Sequence, residues 1–308
     1  MAQPDIVSIG EPLFELNQAK GSEAFLPGHG GDTSNCAIAA ARQGASVGYF
    51  TAVGADPFGQ SFLDLWAREG IDTSTVKRDG GAYTGLYFVS HDESGHVFSY
   101  RRAGSAASRL GPADLPEAYI RGAKMLHTSG ISQAISSGAA DLVFAALRVA
   151  RSAGVGVFYD TNLRLRLWPI DRARATIHAA VAMSTIVKTS IEDARDLTGL
   201  ERPEEIVDFY LRLGPSIAIV TMGPDGALVA TARRRETVPA IRVKPLDATG
   251  AGDTFDGAFM AEYLAGGDPF AAARYANAAA GLSTEGYGAV APMPRREWVL
   301  AALARGSS

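Results

Sequence analysis

Short apolar runs alternate along the chain with longer stretches of mixed character. Ile6 to Ile9, Val47 to Phe50, Met125 to His127, Val155 to Asp160, Thr185 to Lys188 and Ile217 to Thr221 are brief and rich in β-branched residues, which predicts buried strands. Between them the spacing predicts helices over Asn35 to Arg42, Phe58 to Glu69, Ser137 to Ser152 and Ala173 to Met183, and near Glu192 and Glu204. Gly44 and Gly154 serve as stops. The C-terminal part is predicted helical over Thr254 to Ala265, Pro269 to Thr284 and Arg295 to Ala304. Two hairpins break the rhythm. One joins Thr84–Ser90 to Val97–Arg101 through His91-Asp92-Glu93-Ser94-Gly95, and the other turns through Gly223-Pro224-Asp225-Gly226. Repeated strand and helix units predict an α/β fold, with a mostly parallel sheet and helices on both faces. The first hairpin is too polar at its turn for a core element and reads as a flap projecting from the main domain.

Composition mostly excludes. The 308 residues allow one large α/β domain or two small ones, and 47% hydrophobic with 20% charged residues is an ordinary globular balance. A net charge of −4 argues against a nucleic-acid partner. The single cysteine, Cys36, excludes a disulfide framework and fits a reducing cytosol. Met1-Ala2-Gln3-Pro4-Asp5 has no signal-peptide character, and no apolar run approaches the ~18 residues of a membrane span. A cytoplasmic protein with no membrane partner is expected.

The chemistry concentrates in Asp247 to Phe259, DATGAGDTFDGAF. Phe255, Phe259 and Tyr263 recur at helical spacing, beside Ala258, Ala261 and Leu264, and Gly266, Gly267 and Pro269 close the helix. The glycine turn therefore opens a helix. Backbone amides of a first turn converge on one spot and favour an anion there, and small residues let a phosphate approach closely. Asp253 at the edge of that spot is placed to accept a proton from an attacking hydroxyl, as phosphoryl transfer to an alcohol requires. A tight turn with Asp253 as helix cap explains the same stretch, and these residues alone do not separate the two. No Walker motif is present, and no Gly-x-Gly-x-x-Gly follows the first strand.

The same residues resemble a known family. Asp247-Ala248-Thr249-Gly250-Ala251-Gly252-Asp253 is similar to the Asp-x-Thr-Gly-Ala-Gly-Asp signature of ribokinase-like (PfkB-type) sugar kinases. Gly30-Gly31-Asp32-Thr33-Ser34-Asn35-Cys36-Ala37 is similar to their Gly-Gly signature, and Val53-Gly54-Ala55-Asp56-Pro57-Phe58-Gly59 continues the likeness. The resemblance covers nearly the whole chain. It implies a single ribokinase-like domain, a doubly wound α/β sheet carrying a small β lid built near 11–30 and 84–110, and use of ATP with Mg²⁺. It also implies Asp253 as base and the backbone of Gly250, Ala251 and Gly252 as the anion hole.

Within the family the chain most resembles 2-keto-3-deoxygluconate kinases. The likeness lies in Gly10-Glu11-Pro12-Leu13, Thr84-Gly85-Leu86-Tyr87, Tyr100-Arg101-Arg102 running into Gly104-Ser105-Ala106-Ala107-Ser108, and Asp160-Thr161-Asn162-Leu163-Arg164 with Leu167-Trp168. A keto-deoxy sugar acid carries a carboxylate, which Arg102 and Arg164 can hold by charge-assisted hydrogen bonds. Tyr87 and Tyr100 on the flap can donate to its oxygens. Gly31 would let the sugar reach the backbone, and Asp32 and Asn35 would hold its hydroxyls, Asn35 also reading as a helix N-cap. Flap packing for the tyrosines and surface placement for the arginines would equally explain these residues one by one.

For the nucleotide, Thr221-Met222-Gly223-Pro224-Asp225-Gly226 is similar to the family hairpin beside the purine, with Ser190, Thr249 and Asn277 as further contacts. The Asn-x-x-Glu motif that orders Mg²⁺ waters in many members falls on Ser190-Ile191-Glu192-Asp193, leaving Asp193 or Glu192 as the metal-linked carboxylate. Tyr287 stands where some relatives place an acid. The expected function is an ATP-dependent kinase for 2-keto-3-deoxygluconate. The alternatives are fructokinase, 5-keto-2-deoxygluconate kinase or a non-catalytic sugar sensor. A dehydrogenase is more remote, for want of a dinucleotide fingerprint. Lid edges of this family often pair between subunits, so a homodimer or larger assembly is expected.

Overall fold

The structure, a computed structural model, describes residues 3–18, 22–92 and 95–306. Glu93 and Ser94 of the expected hairpin turn, and Ser307 and Ser308, lie outside the described residues. β1 (Ile6–Ile9) leads into β2 (Leu13–Gln18), β3 (Phe25–Gly30) and α1 (Asp32–Arg42). β4 (Val47–Phe50), β5 (Ala52–Gly54), α2 (Pro57–Arg68) and β6 (Lys77–Asp79) follow, then the hairpin β7 (Leu86–Asp92) and β8 (Gly95–Arg101), and α3 (Glu117–Arg121). Alternation resumes with β9 (Met125–Ser129), α4 (Gly130–Ala134), α5 (Ser137–Ser152), β10 (Gly156–Asp160), α6 (Ile170–Val181), β11 (Ile186–Ser190), α7 (Ile191–Thr198), α8 (Pro203–Leu213) and β12 (Ile217–Thr221). β13 (Ala227–Thr231), β14 (Arg235–Val238), α9 (Ala251–Gly266), α10 (Pro269–Ser283) and α11 (Arg296–Gly306) finish the chain.

The main sheet runs β14-β13-β12-β11-β10-β9-β1-β4. The strands from β12 to β4 pair in parallel, and β13 and β14 turn back antiparallel. Side chains of a strand alternate between faces, and here each face has its own core. Ile6, Met125, Phe158, Ile186 and Ile219 enter one cluster, with α1, α2, α9 and α10. Val7, Leu126, Val157, Val187 and Val220 enter the other, with α5, α6, α7 and α8. Burial on both faces explains why these strands read as unbroken apolar runs. This is the doubly wound α/β sheet the sequence predicts.

A second sheet, β3-β2-β7-β8, gathers two segments far apart in sequence. Two antiparallel pairs, β2–β3 and β7–β8, are joined by the parallel pairing of β2 with β7.

Two local features place the site. First, α1 starts at Asp32, so Asn35 lies one turn inside it and is not its N-cap. Gly31 occupies the cap position with φ 97°, and a Cβ there would stand 2.3 Å from the Glu11 carbonyl oxygen. Only glycine satisfies both conditions, so Asn35 is free for other work. Second, a Cβ on Gly257 would lie 2.4 Å from the Cys36 carbonyl oxygen and 2.6 Å from the Ala39 Cβ. The missing side chain lets α1 and α9 pack backbone to backbone, which brings their first turns side by side.

Candidate active site

α9 opens at Gly250, held in the left-handed region at φ 76° with no side-chain cap. The Ala251 amide bonds the Ala248 carbonyl, and the Thr254 amide bonds that of Gly250. The amides of Gly250, Gly252 and Asp253 have no acceptor among the described residues. Of the Gly250–Ala251–Gly252 amides that the resemblance implies as an anion hole, that of Ala251 is used within the turn. The loop leading in is braced by Asp247. Its Oδ1 accepts from the Thr249 amide (2.9 Å) and hydroxyl (2.7 Å), and its Oδ2 from the Gly288 amide (2.9 Å).

Asp253 does not cap α9. Its Oδ2 accepts instead from Asn35 Nδ2 at 2.8 Å. Burial, followed by the negative charge of Asp32, pushes the Asp253 carboxyl up to about 7, against the pull of Asn35 and Lys188. Asp32 in turn accepts from Asn162 Nδ2 at 3.0 Å, and burial raises its carboxyl as well. Two buried acceptors beside Asp253, Asp32 Oδ1 and Asn35 Oδ1, have no hydrogen-bond partner among the described residues. Unsatisfied buried acceptors are uncommon in folded proteins. Asn162 has the positive φ of 30°, a strained conformation for a non-glycine residue, and its amide bonds Asp160 Oδ1 at 3.2 Å.

On the lid side the expected contacts have internal partners. Arg102 is not an unpaired cation: its Nε lies 2.9 Å from Glu11 Oε2, and Nη2 bonds the same oxygen. Ser105 Oγ completes the site by donating to Glu11 Oε1 at 3.1 Å. Glu11 is 1% exposed, and burial raises its carboxyl even with Arg102 beside it. Tyr87 donates its hydroxyl proton to Glu15, so that donor is used inside the lid. Tyr87 stacks on Tyr100 at 5.9 Å, and Tyr100, exposed, has the Arg102 guanidinium 5.6 Å above its ring. Arg164 differs. It is exposed, its Nη1 donates to the neighbouring Leu163 carbonyl (2.7 Å), and its charge acts on Asp32 and Asp193.

On the opposite flank Ser190 caps α7, accepting the Asp193 amide at 3.1 Å. Asp193 Oδ2 accepts the Leu163 amide at 2.9 Å, and burial lifts its carboxyl to about 6, whereas Glu192 is exposed. Thr221 Oγ1 bonds the Thr189 carbonyl at 3.3 Å, and Gly223 and Gly226 shape the following turn with positive φ. Asn277 Nδ2 donates to the Val238 carbonyl at 2.9 Å, which ties α10 to β14 and commits that donor internally. Tyr287 is 76% exposed. No group of three or more His, Cys, Asp or Glu among the described residues could cage a metal ion.

The structure therefore brings Asp32, Asn35, Asn162, Arg164 and Asp253 together at the C-terminal edge of the parallel strands, where α/β sheets bind ligands. Glu11, Glu15 and Asp247 are partners that sequence reasoning did not assign. Their only local sign was Glu11 and Asp247 lying inside family-like motifs.

A model of the pfkB family carbohydrate kinases matches residues 3–296. The chain is 35% identical to a 2-dehydro-3-deoxygluconokinase of Thermoproteus tenax, across 98% of this chain and 96% of that protein. It is 31% identical to fructokinase-1 of Oryza sativa subsp. japonica, across 96% of each. A solved structure of a putative ribokinase II from E. coli in complex with ATP and Mg²⁺ is similar with a TM-score of 0.90 at 26% identity, covering 98% of this chain and 99% of that one.

Proposed function

This chain belongs to the pfkB family of carbohydrate kinases, and we propose that it transfers the γ-phosphoryl group of ATP to the terminal hydroxyl of 2-keto-3-deoxygluconate. The observation that carries the reading is the meeting of Asn35 and Asp253, 2.8 Å apart, beside the unpaired acceptors Asp32 Oδ1 and Asn35 Oδ1. A polyol supplies hydroxyl donors to those acceptors. Asp253 takes the proton of the terminal hydroxyl as its oxygen attacks, and the free amides of the α9 turn stabilise the charge on the transferred group. Arg164 holds the substrate carboxylate, with Arg102 sharing its guanidinium between Glu11 and the sugar. Mg²⁺ bound with ATP would neutralise phosphate charge. Mg²⁺ of this kind usually keeps phosphate and water ligands, and Asp193 is the carboxylate at hand to order those waters.

A second reading, a neutral-sugar kinase of the fructokinase kind, is favoured by one observation: Glu11 already neutralises Arg102. The two readings separate in ATP-dependent phosphorylation of 2-keto-3-deoxygluconate against fructose, ribose and 5-keto-2-deoxygluconate at matched concentrations. The keto-deoxy acid is expected to win by orders of magnitude in kcat/KM, and preference for a neutral sugar would overturn the acid assignment. Association of two copies through the lid is supported by exposed Phe25, Leu26 and Val97 on its strands.

A further inference from the structure

One buried cation stands behind the site. Lys188, in the middle of β11, is 5% exposed. Its Nζ lies 3.0 Å from Asp160 Oδ2 and 3.5 Å from Asp256 Oδ1. A Cβ built on Gly252 would stand 3.2 Å from the same nitrogen and meet no other atom within 4 Å. The ammonium thus sits directly under the second glycine of the turn. Removing such charges from water costs several kcal/mol per ion, and a well-packed apolar cluster would hold two layers together equally well. Packing alone does not account for the triad.

Its placement does. Asp256 is one helical turn beyond Asp253 on α9. Asp160 also accepts the Asn162 amide (3.2 Å), and Asn162 holds Asp32 (3.0 Å). Lys188 therefore joins the turn to the hydroxyl-binding side through one connected network.

We infer that Lys188 is a positioning residue for phosphoryl transfer, fixing the first turn of α9 over the sheet and supplying positive charge beneath Gly252. The inference rests on the reading of Asp253 as the base. The groups facing Asp253 and Lys188 are Asp32 and Cys36 on α1, His127 on β9, Asp160 on β10, Asp193 on α7, Asp256 on α9 and Tyr87 in the lid, with Arg164 acting on Asp32 and Asp193. Among these neighbours the carboxylates predominate, and Lys188 counters them at Asp253.

In the full-length enzyme, Lys188→Met is expected to lower kcat about tenfold or more while KM for the sugar stays within about twofold. The acid limb of kcat should also move to higher pH, because a cation favouring ionised Asp253 has gone. A lysine that only packs leaves the acid limb of the folded enzyme in place, and that result overturns the inference. Lys188→Gln, which removes the charge but keeps an amide donor for Asp160 and Asp256, carries the same test if Lys188→Met does not fold. Asp253→Asn, measured alongside, separates the failures. Normal turnover in that variant sinks both readings. An inert Asp253→Asn with an unmoved limb in the Lys188 variant sinks only this one.

Discussion

Asn35 on α1 donates to Asp253 on α9 across 2.8 Å, though 218 positions separate them in the chain. The contact exists because Gly31 starts α1 early enough to put Asn35 a turn inside it, and because Gly257 lets the two helices touch. One amide donor then orients a carboxylate that burial holds near neutrality.

Asp253→Asn is expected to lower kcat by roughly 10²–10⁴ while sugar binding survives, measured by steady-state kinetics and calorimetry. In the wild type, kcat should rise with pH through about 7, since protonated Asp253 cannot accept a proton. Stability runs the other way. The folded carboxyl binds its proton more tightly than the unfolded one, so its contribution is fully present below the ordinary carboxylate range and is lost as pH rises through about 7. Above that pH, Asp253→Asn should melt higher than wild type, and an unchanged or lower Tm at alkaline pH would contradict it.

Arg102→Ala leaves Glu11 buried without its cation. The cost at neutral pH should be about 3–5 kcal/mol, read by denaturant unfolding. The deficit should shrink on acidification, because burial already raises Glu11 and its neutral form tolerates the site. A deficit independent of pH would mean that lost packing dominates.

Arg164→Ala touches an exposed side chain, so stability should change by no more than about 0.5 kcal/mol. Loss of a charge-assisted contact should still raise KM for the sugar acid about tenfold or more, with KM for ATP little changed. Equal effects on fructose and on the acid would remove Arg164 from carboxylate recognition.

Gly257→Ala places a methyl 2.4 Å from the Cys36 carbonyl. Overpacking of this kind costs about 1–3 kcal/mol. The separation it forces falls one turn from Asp253, so kcat should drop by up to about 10²-fold in protein that remains folded. Retained kcat with a lowered Tm would show that the site tolerates a wider gap.

The parallel strands and the glycine turn were legible because their signals are local: unbroken apolar runs buried on both faces, and small residues before a helical apolar face. β2 and β3 follow only from the family resemblance, which implies lid segments near 11–30, since Phe25–Gly30 contains Pro27, Gly28 and Gly30 and shows no alternation. Asn35 reads as a cap because its residue type suits that position, while the actual cap depends on how closely Gly31 approaches Glu11. The pairings Glu11–Arg102 and Glu15–Tyr87 span 91 and 72 positions, and nothing near either partner announces the other. Arginine and tyrosine that look available in a sequence can already be engaged in the fold.

The backbone contact at Gly257 also sets an order in time. A chain emerging from its N-terminus completes α1 long before α9 exists, so Asn35 waits for its carboxylate through most of synthesis. The lid repeats the pattern, since β2 finds its parallel neighbour β7 only after α1 and α2 have formed between them. Contacts this distant come late, because loop closure precedes any reward. A nascent chain therefore carries half of each arrangement and none of the assembled centre, and phosphoryl transfer begins only when its last third has folded.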